Sequence, residues 1–271
     1  MEKRRSSNMS QFLKPLTIEN AVMLKEENPG SLYLGGGSEL NNPSSKAVSD
    51  VYISLEALNL KACVRGKHTT ILGGCTTFQE LIGWDECPAS LKEAALFLSS
   101  RNVRNQATLG GNIGAHLPDS YMLPILMVLD ADLELGNDEV IPVTRYVEEK
   151  RQNLIINIRF AHNSGVTAVK NVLRSSGGLS VLSAAVSIER EGDVIKKAAI
   201  AVSGLGERVF RLTEIEKALV SGDIKPGKDL EKAVADAVST KDDLKGSAEY
   251  KKYICGVTVQ DCVSRVLEAS S

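Results

Sequence analysis

Tyr33-Leu34-Gly35-Gly36-Gly37-Ser38-Glu39-Leu40 is the stretch on which the fold turns. The apolar segment Ser31 to Leu34 runs straight into three glycines, so it reads as a strand feeding a glycine turn. A second glycine-rich segment, Thr108-Leu109-Gly110-Gly111-Asn112-Ile113-Gly114, follows Arg101 to Ala107. A phosphate or pyrophosphate needs several convergent backbone N–H groups and close main-chain approach. Glycine supplies both, because it has no Cβ and tolerates positive φ. Two such loops in one chain suggest a diphosphate cradle; the plainer alternative is a pair of tight turns. Neither loop is G-x-G-x-x-G, and G-x-x-x-x-G-K-[ST] is absent, so a Rossmann site and a P-loop are both poorly supported.

Outward from these loops, the pattern is α+β. Ile18, Ala21 and Val22 recur at helical spacing between a capping Thr17 and the stop Pro29-Gly30, predicting a helix over Thr17 to Asn28. Val51 to Leu55 and His68 to Leu72 read as strands, the second entering Gly73-Gly74. Thr77 with Glu80 forms a capping box for a helix through Leu81, and Ser90 with Glu93 repeats the box before Leu91, Ala94, Ala95 and Leu98. In the second half, Leu179 to Ile188 and Val194 to Val202 flank Glu191-Gly192-Asp193, the mark of an antiparallel hairpin. Thr213 and Glu216 make a third box before a helix ending near Gly222. Leu230, Ala233, Val234, Ala237 and Val238 form an amphipathic stripe. A last helix along Tyr250, Tyr253, Ile254, Val257, Val263 and Val266 is expected to break at Gly256. The boundary between halves is expected between Arg159 and Val166, with 161–165 as a linker.

The chain has 271 residues, enough for two modest domains. With 32 Lys and Arg against 34 Asp and Glu, no basic footprint is present, which argues against nucleic acid or an anionic membrane as partner. The five cysteines, Cys63, Cys75, Cys87, Cys255 and Cys262, are odd in number and show no C-x-x-C, so a reducing, cytoplasmic setting with structural thiols is expected. Residues 1–9 are expected to be a disordered leader: Arg4-Arg5 is not followed by the apolar stretch of a twin-arginine signal. No run of about 18 apolar residues exists to span a membrane.

Catalytic constellations are scarce. His68, His116 and His162 are the only histidines, and neither a nucleophile elbow nor an H-E-x-x-H metal motif occurs. His116 follows the second loop closely enough to reach a ligand there, although a packed histidine is the more ordinary reading. Asp130 and Asp132 sit two apart and do not read as a catalytic carboxylate pair. No catalytic or metal-ligating residue is assigned, and an enzyme built this way borrows its chemistry from a cofactor.

Arg104-Asn105-Gln106-Ala107-Thr108-Leu109-Gly110-Gly111-Asn112-Ile113-Gly114-Ala115, with Leu123-Pro124-Ile125-Leu126 and Leu129-Asp130-Ala131, resembles the FAD-binding medium subunits of molybdenum hydroxylases of the xanthine dehydrogenase and carbon monoxide dehydrogenase type. Tyr33 to Leu40 resembles their first FAD loop, and Ile71-Leu72-Gly73-Gly74-Cys75-Thr76-Thr77 their recurring strand-Gly-Thr segment. Ser175-Ser176-Gly177-Gly178-Leu179 and the segment Leu244 to Tyr253 most resemble the selenate-reductase or purine-hydroxylase branch. The resemblance implies a vanillyl-alcohol-oxidase-like fold: an FAD-binding domain over 10–163, in two α+β subdomains split near residue 60, then a C-terminal domain over 164–271 with a three-stranded antiparallel sheet and helices.

By the same resemblance, Tyr33, Leu34, Gly35, Gly36, Gly37, Ser38, Glu39, Leu40, Thr108, Leu109, Gly110, Gly111 and Asn112 hold FAD, with Leu98 and Lys170 as further contacts. Where many members carry an Asp that binds a cofactor hydroxyl, this chain has Tyr121, preceded by Asp119 and Ser120. Nor does it have the cysteine-rich insertion of relatives with an extra cluster, so no iron–sulfur cluster is expected here. The function implied is an electron-transfer flavoprotein subunit. It would take electrons from a 2Fe-2S subunit, partnered by a molybdopterin-binding catalytic subunit, and pass them through FAD to NAD⁺ or another acceptor. The alternatives are a self-contained FAD oxidoreductase and a flavin-free interaction module in which the glycine loops are turns.

Overall fold

The computed structural model describes residues 10–45, 47–162, 165–175 and 178–269. Three sheets carry the chain, and each uses its strands differently. β1 (Gln11–Leu13), α1 (Ile18–Glu27), β2 (Leu32–Leu34) and β3 (Val51–Ser54) form a small parallel layer ordered β1-β3-β2. Thr17 caps α1 as its sequence implies, accepting from the Asn20 N–H at 3.2 Å. Parallel pairing of β2 with β3 forces the chain to double back between them, and that return carries the first glycine loop.

The second sheet is wholly antiparallel. β4 (Cys63–Arg65) and β5 (Thr69–Gly73) precede a run of short helices: α2 (Phe78–Gly83), α3 (Ala89–Leu96), α4 (Arg101–Arg104), α5 (Leu109–Gly114) and α6 (Met122–Val128). β6 (Asp132–Leu135), β7 (Val140–Pro142), α7 (Val143–Glu148) and β8 (Ile155–Ala161) complete it in the order β4-β5-β8-β6-β7. The Thr77–Glu80 box closes in both directions, Glu80 N–H on Thr77 Oγ1 and Thr77 N–H on the Glu80 carboxylate.

The C-terminal half opens with β9 (Val166–Leu173), then β10 (Ser180–Glu191), β11 (Val194–Ser203) and β12 (Phe210–Arg211), followed by α8 (Thr213–Ser221), α9 (Lys228–Ala237) and α10 (Ala248–Ala269). The strand order is β12-β11-β10-β9, three long antiparallel strands with a two-residue edge strand. The hairpin turns at Gly192, where Glu191 pairs with Val194.

Three local expectations are corrected. Ser90 is no cap: Pro88 occupies that position, and Ser90 is buried as the second residue of the helix, accepting from Thr167 Oγ1. Glu216 does not reach back to Thr213, because Arg211 and the Ile200 N–H capture its carboxylate. α10 runs unbroken through Gly256, whose missing side chain lets α9 approach; a Cβ there would lie 2.2 Å from the Glu231 carbonyl oxygen. Asn163 and Ser164 of the expected linker, the leader 1–9, and Ser176-Gly177 lie outside the described residues.

The halves share a core. All seven residues of α6 are buried, packed on one side with Leu72, Leu109 and Ile113 and on the other with Ala185, Ala199 and Ala201 of β10 and β11. A helix apolar all round has to be covered on every side. A separate core under α8, α9 and α10 backs the other face of the same strands.

Candidate functional site

The first glycine loop leaves the C-terminal end of β2, the end of a parallel layer where open α/β sheets bind ligands. The N–H groups of Gly35, Gly36, Gly37, Ser38, Glu39 and Leu40 donate to no acceptor among the described residues. The second loop is spent on the protein itself. Leu109 N–H donates to Thr76 O (2.9 Å), Gly110 N–H to Gly74 O (2.7 Å), Gly111 N–H to Thr108 Oγ1 (3.1 Å) and Asn112 N–H to Thr108 O (2.9 Å). The two loops meet at Gly36, where a Cβ would lie 1.5 Å from the Gln106 carbonyl oxygen. Only glycine permits that approach.

Between the loops runs a groove of about 440 Å³. Of the residues expected to hold a cofactor, Tyr33, Gly35, Gly36, Gly37, Ser38, Glu39, Leu40, Leu98, Thr108, Gly110, Gly111 and Asn112 line it. Leu98 is presented by Arg104, whose guanidinium donates to the Leu98 and Ser99 carbonyls at 2.8 Å and to Gln79 Oε1 at 3.1 Å. Leu34, Leu109 and Lys170 do not line the groove. Leu109 is fully buried beneath it, and Leu34 accepts from the Leu55 N–H within the parallel layer. Strand alternation turns Lys170 away: Thr167 and Val169 face the first half, whereas Ala168 and Lys170 face α10, where Lys170 pairs with Asp261.

The charges around the groove are few. Lys25, in the last turn of α1, is the one cationic side chain among the described lining residues. Its ammonium donates to the Ser31 and Pro29 carbonyls and stands 5.9 Å from the Tyr33 ring centre. Burial lowers its pKa, and burial followed by the charge of Glu26 pushes the Tyr33 hydroxyl up to about 12. Glu39 and Asp119 are the lining carboxylates. Asp119 Oδ2 accepts from Lys245 Nζ at 2.7 Å. Ser120 Oγ donates to Asn112 Oδ1 (2.6 Å) and accepts from the Leu123 N–H. Tyr121 stands edge-on to Phe97, its hydroxyl pKa raised by burial and then by Asp119.

Tyr146 and Asn153 form the far wall, joined by a hydrogen bond from the Tyr146 hydroxyl to the Asn153 carbonyl at 2.9 Å. His116 lies flat against Tyr146, its Nε2 on the Arg151 carbonyl, and does not itself line the groove. His162 is hydrogen-bonded to Thr70. No histidine or thiol is among the described lining residues, although Cys75 is buried in the core below, its thiol pushed up to about 11 mainly by burial. Among the described residues no three His, Cys, Asp or Glu side chains gather to hold a metal ion, and no helix is long and apolar enough to cross a membrane. The groove therefore presents free N–H donors, one cation and two carboxylates, suited to binding an anionic, hydroxylated molecule rather than to acid–base catalysis.

Lys25, Tyr146 and Asn153 were not legible as site residues. Lys25 had a weak signal, a cation in the last turn of the helix that leads into the glycine strand. Asn153 had none, since only the fold of β8 against the first layer brings it there.

Two family models match the chain. Residues 7–161 match the FAD binding domain in molybdopterin dehydrogenase, and residues 167–266 the CO dehydrogenase flavoprotein C-terminal domain. Uncharacterized protein YgfM of Escherichia coli strain K12 is 34% identical over 254 residues, covering 93% of this chain and 95% of that protein. The glyceraldehyde dehydrogenase medium chain of Sulfolobus acidocaldarius is 22% identical over 273 residues, 94% of this chain and 97% of that one. Among solved structures, a chain of carbon monoxide dehydrogenase from Hydrogenophaga pseudoflava superposes with a TM-score of 0.84 at 22% identity, covering 96% and 97% of the two chains. That likeness establishes the fold.

Proposed function

The chain belongs to the family of FAD-binding flavoprotein subunits of molybdopterin-dependent dehydrogenases, and from that premise we propose that it holds one FAD in the groove between its two glycine loops. The observation that carries the assignment is the row of N–H groups from Gly35 to Leu40 that have no acceptor among the described residues, on a segment lining a groove whose one cation among the described lining residues is Lys25. A diphosphate placed there could draw on these N–H groups, on a segment that follows directly from β2. The second loop does a different job: its backbone, tied to Thr76 and Gly74, forms a rigid opposing wall. Tyr33, Tyr146 and Leu98 supply apolar surface for flat rings.

When bound, FAD supplies the redox chemistry, linking a partner 2Fe-2S subunit, itself fed by a molybdopterin-binding subunit, to NAD⁺ or another acceptor. The chain's own part is to bind, orient and desolvate. The partner subunits are supported by relatives whose names call them a medium chain and a subunit beta. The nicotinamide acceptor and the selenate-reductase or purine-hydroxylase branch rest on the sequence resemblance alone.

The test is a visible spectrum of the purified chain after excess FAD has been added and the unbound part removed, followed by anaerobic NADH. A retained flavin band is expected, and bleaching by NADH would support the nicotinamide limb. A chain that stays colourless with FAD in excess would instead favour the flavin-free module.

A further inference from the structure

The two arginines of α4 are used differently. Arg101 is exposed, as are Asn102, Val103 and Asn105 around it, whereas Arg104 is half-buried. Its guanidinium is spread over three acceptors: Nη1 donates to the Leu98 and Ser99 carbonyls, both at 2.8 Å, and Nε to Gln79 Oε1 at 3.1 Å. The two carbonyls belong to the bend between α3 and α4, outside any helix or strand. Such a bend has no ladder to satisfy its backbone, and a planar fork that takes two carbonyls at once fixes its shape.

The bend ends at the groove. Leu98 and Val103 both line it, one on each side of Ser100, which caps α4 by accepting from the Val103 N–H at 3.4 Å. Val103 keeps 39% of its surface accessible there, apolar area that a flat ring would cover. Before Leu98, Phe97 stands edge-on to Tyr121, another lining residue, with ring centres 6.4 Å apart. The third acceptor, Gln79, belongs to α2, and α2 is itself tied to the second glycine loop, since the Phe78 N–H donates to the Ala107 carbonyl at 2.9 Å. Arg104 thus fastens the bend to the part of the site that is already rigid.

We propose that Arg104 is the positioning residue of an apolar lip, Leu98 and Val103, that lies against one flat ring of the bound cofactor and shields it from water. This rests on the FAD reading and reaches past the groove, because Arg104 does not line it and acts through Leu98. FAD has two flat rings, the isoalloxazine and the adenine, and the same apolar contact serves either. A lysine at 104 would be a point charge able to reach a carbonyl, but not to hold Gln79 and both carbonyls in one plane.

The experiment is a titration of the full chain with FAD, followed by visible absorption, for the wild type, Arg104→Met, Arg104→Lys, Leu98→Ala and the double variant of Arg104→Met with Leu98→Ala, with thermal unfolding of each apoprotein alongside. Arg104→Met and Leu98→Ala should each raise the FAD Kd about tenfold. Arg104→Lys should raise it about threefold, and it carries the test if the methionine variant does not fold. Because Arg104 acts through Leu98, the double variant should stay near the tenfold of either single change, not reach the product of two independent losses, about a hundredfold. Competition identifies the ring. If Arg104→Met weakens riboflavin and spares ADP, the lip covers the isoalloxazine, and the bound flavin band should lose its resolved shoulder. If it weakens ADP and spares riboflavin, the lip covers the adenine, and the shoulder should remain. An unchanged FAD Kd in Arg104→Met whatever its melting temperature, a double variant weakened by the full product, or equal weakening of ADP and riboflavin overturns the proposal. A wild type that takes up no FAD removes the underlying reading instead, and the lip with it.

Discussion

Two glycine loops face each other across the groove, and they spend their main chains in opposite ways. Gly35 to Leu40 line the groove and leave their N–H groups without an acceptor among the described residues, whereas Leu109, Gly110, Gly111 and Asn112 give all of theirs to Thr76, Gly74 and Thr108. The contrast teaches that glycine content marks where backbone comes close to something, without saying what. In the first loop that something is the Gln106 carbonyl opposite Gly36, while the loop's N–H groups stay unpaired beside the groove. In the second it is the protein's own strand-end at Gly74, and the glycines there allow packing rather than recognition.

The sharpest way to break the contrast is Gly36→Val. The new Cβ would overlap the Gln106 carbonyl and drive the loops apart. We expect a loss of about 3 kcal/mol of stability and flavin retention at background, checked by thermal unfolding and absorption of the purified variant. Normal flavin content would show that the loops need not touch.

Next in size is Thr108→Ala, which removes the cap that receives the Gly111 N–H. A cost of about 1 kcal/mol in stability is expected, with FAD affinity changed less than threefold. A large drop in affinity with unchanged stability would make the second loop a recognition element after all.

The third effect is confined to acid. Burial pushes the Glu80 carboxyl up, but the Thr77 N–H, the Lys61 ammonium and the Thr77 hydroxyl outweigh it and hold the pKa below 4.5. A depressed folded pKa gives stability that is complete above 4.5 and lost as pH falls through the lower folded value. Thr77 bridges to Thr108, so this loss should loosen the second loop first. Melting temperatures of the wild type and Glu80→Gln should differ at neutral pH and converge in that acid window. A gap that persists below it would mean that the carboxylate charge is not what closes the box.

The smallest change is expected from Ser38→Ala, which trims a side chain of the first loop but keeps its N–H. FAD affinity measured by titration should fall less than threefold, and a tenfold fall would assign recognition to side chains instead.

Sequence and structure agree where a short-range interaction decides the outcome. Thr17 and Thr77 cap their helices because the partner N–H groups lie three residues away. The same pattern fails at Ser90 and at Thr213, where tertiary partners compete: Thr167 takes the serine hydroxyl, and Arg211 takes Glu216. Gly256 looks like a helix break in one dimension and is a helix–helix contact in three. α6 gave no periodic signal because all its faces are buried, and Pro124 is tolerated because it sits in the first turn. The loops of the candidate site were legible as glycine; the Asp119–Lys245 pair was not, since 126 positions separate its members.

α6 also sets a timetable. Synthesis proceeds from the N-terminus at about 5–20 residues per second, so this helix of seven buried residues emerges before the β10 and β11 strands that cover its far side exist. For that interval the nascent chain carries an apolar surface that only its own later half can hide. The cofactor-binding half is consequently no independent module. Cut short after its last strand, it would present that surface permanently, and an incomplete copy should be cleared or aggregate rather than persist as a competitor for flavin.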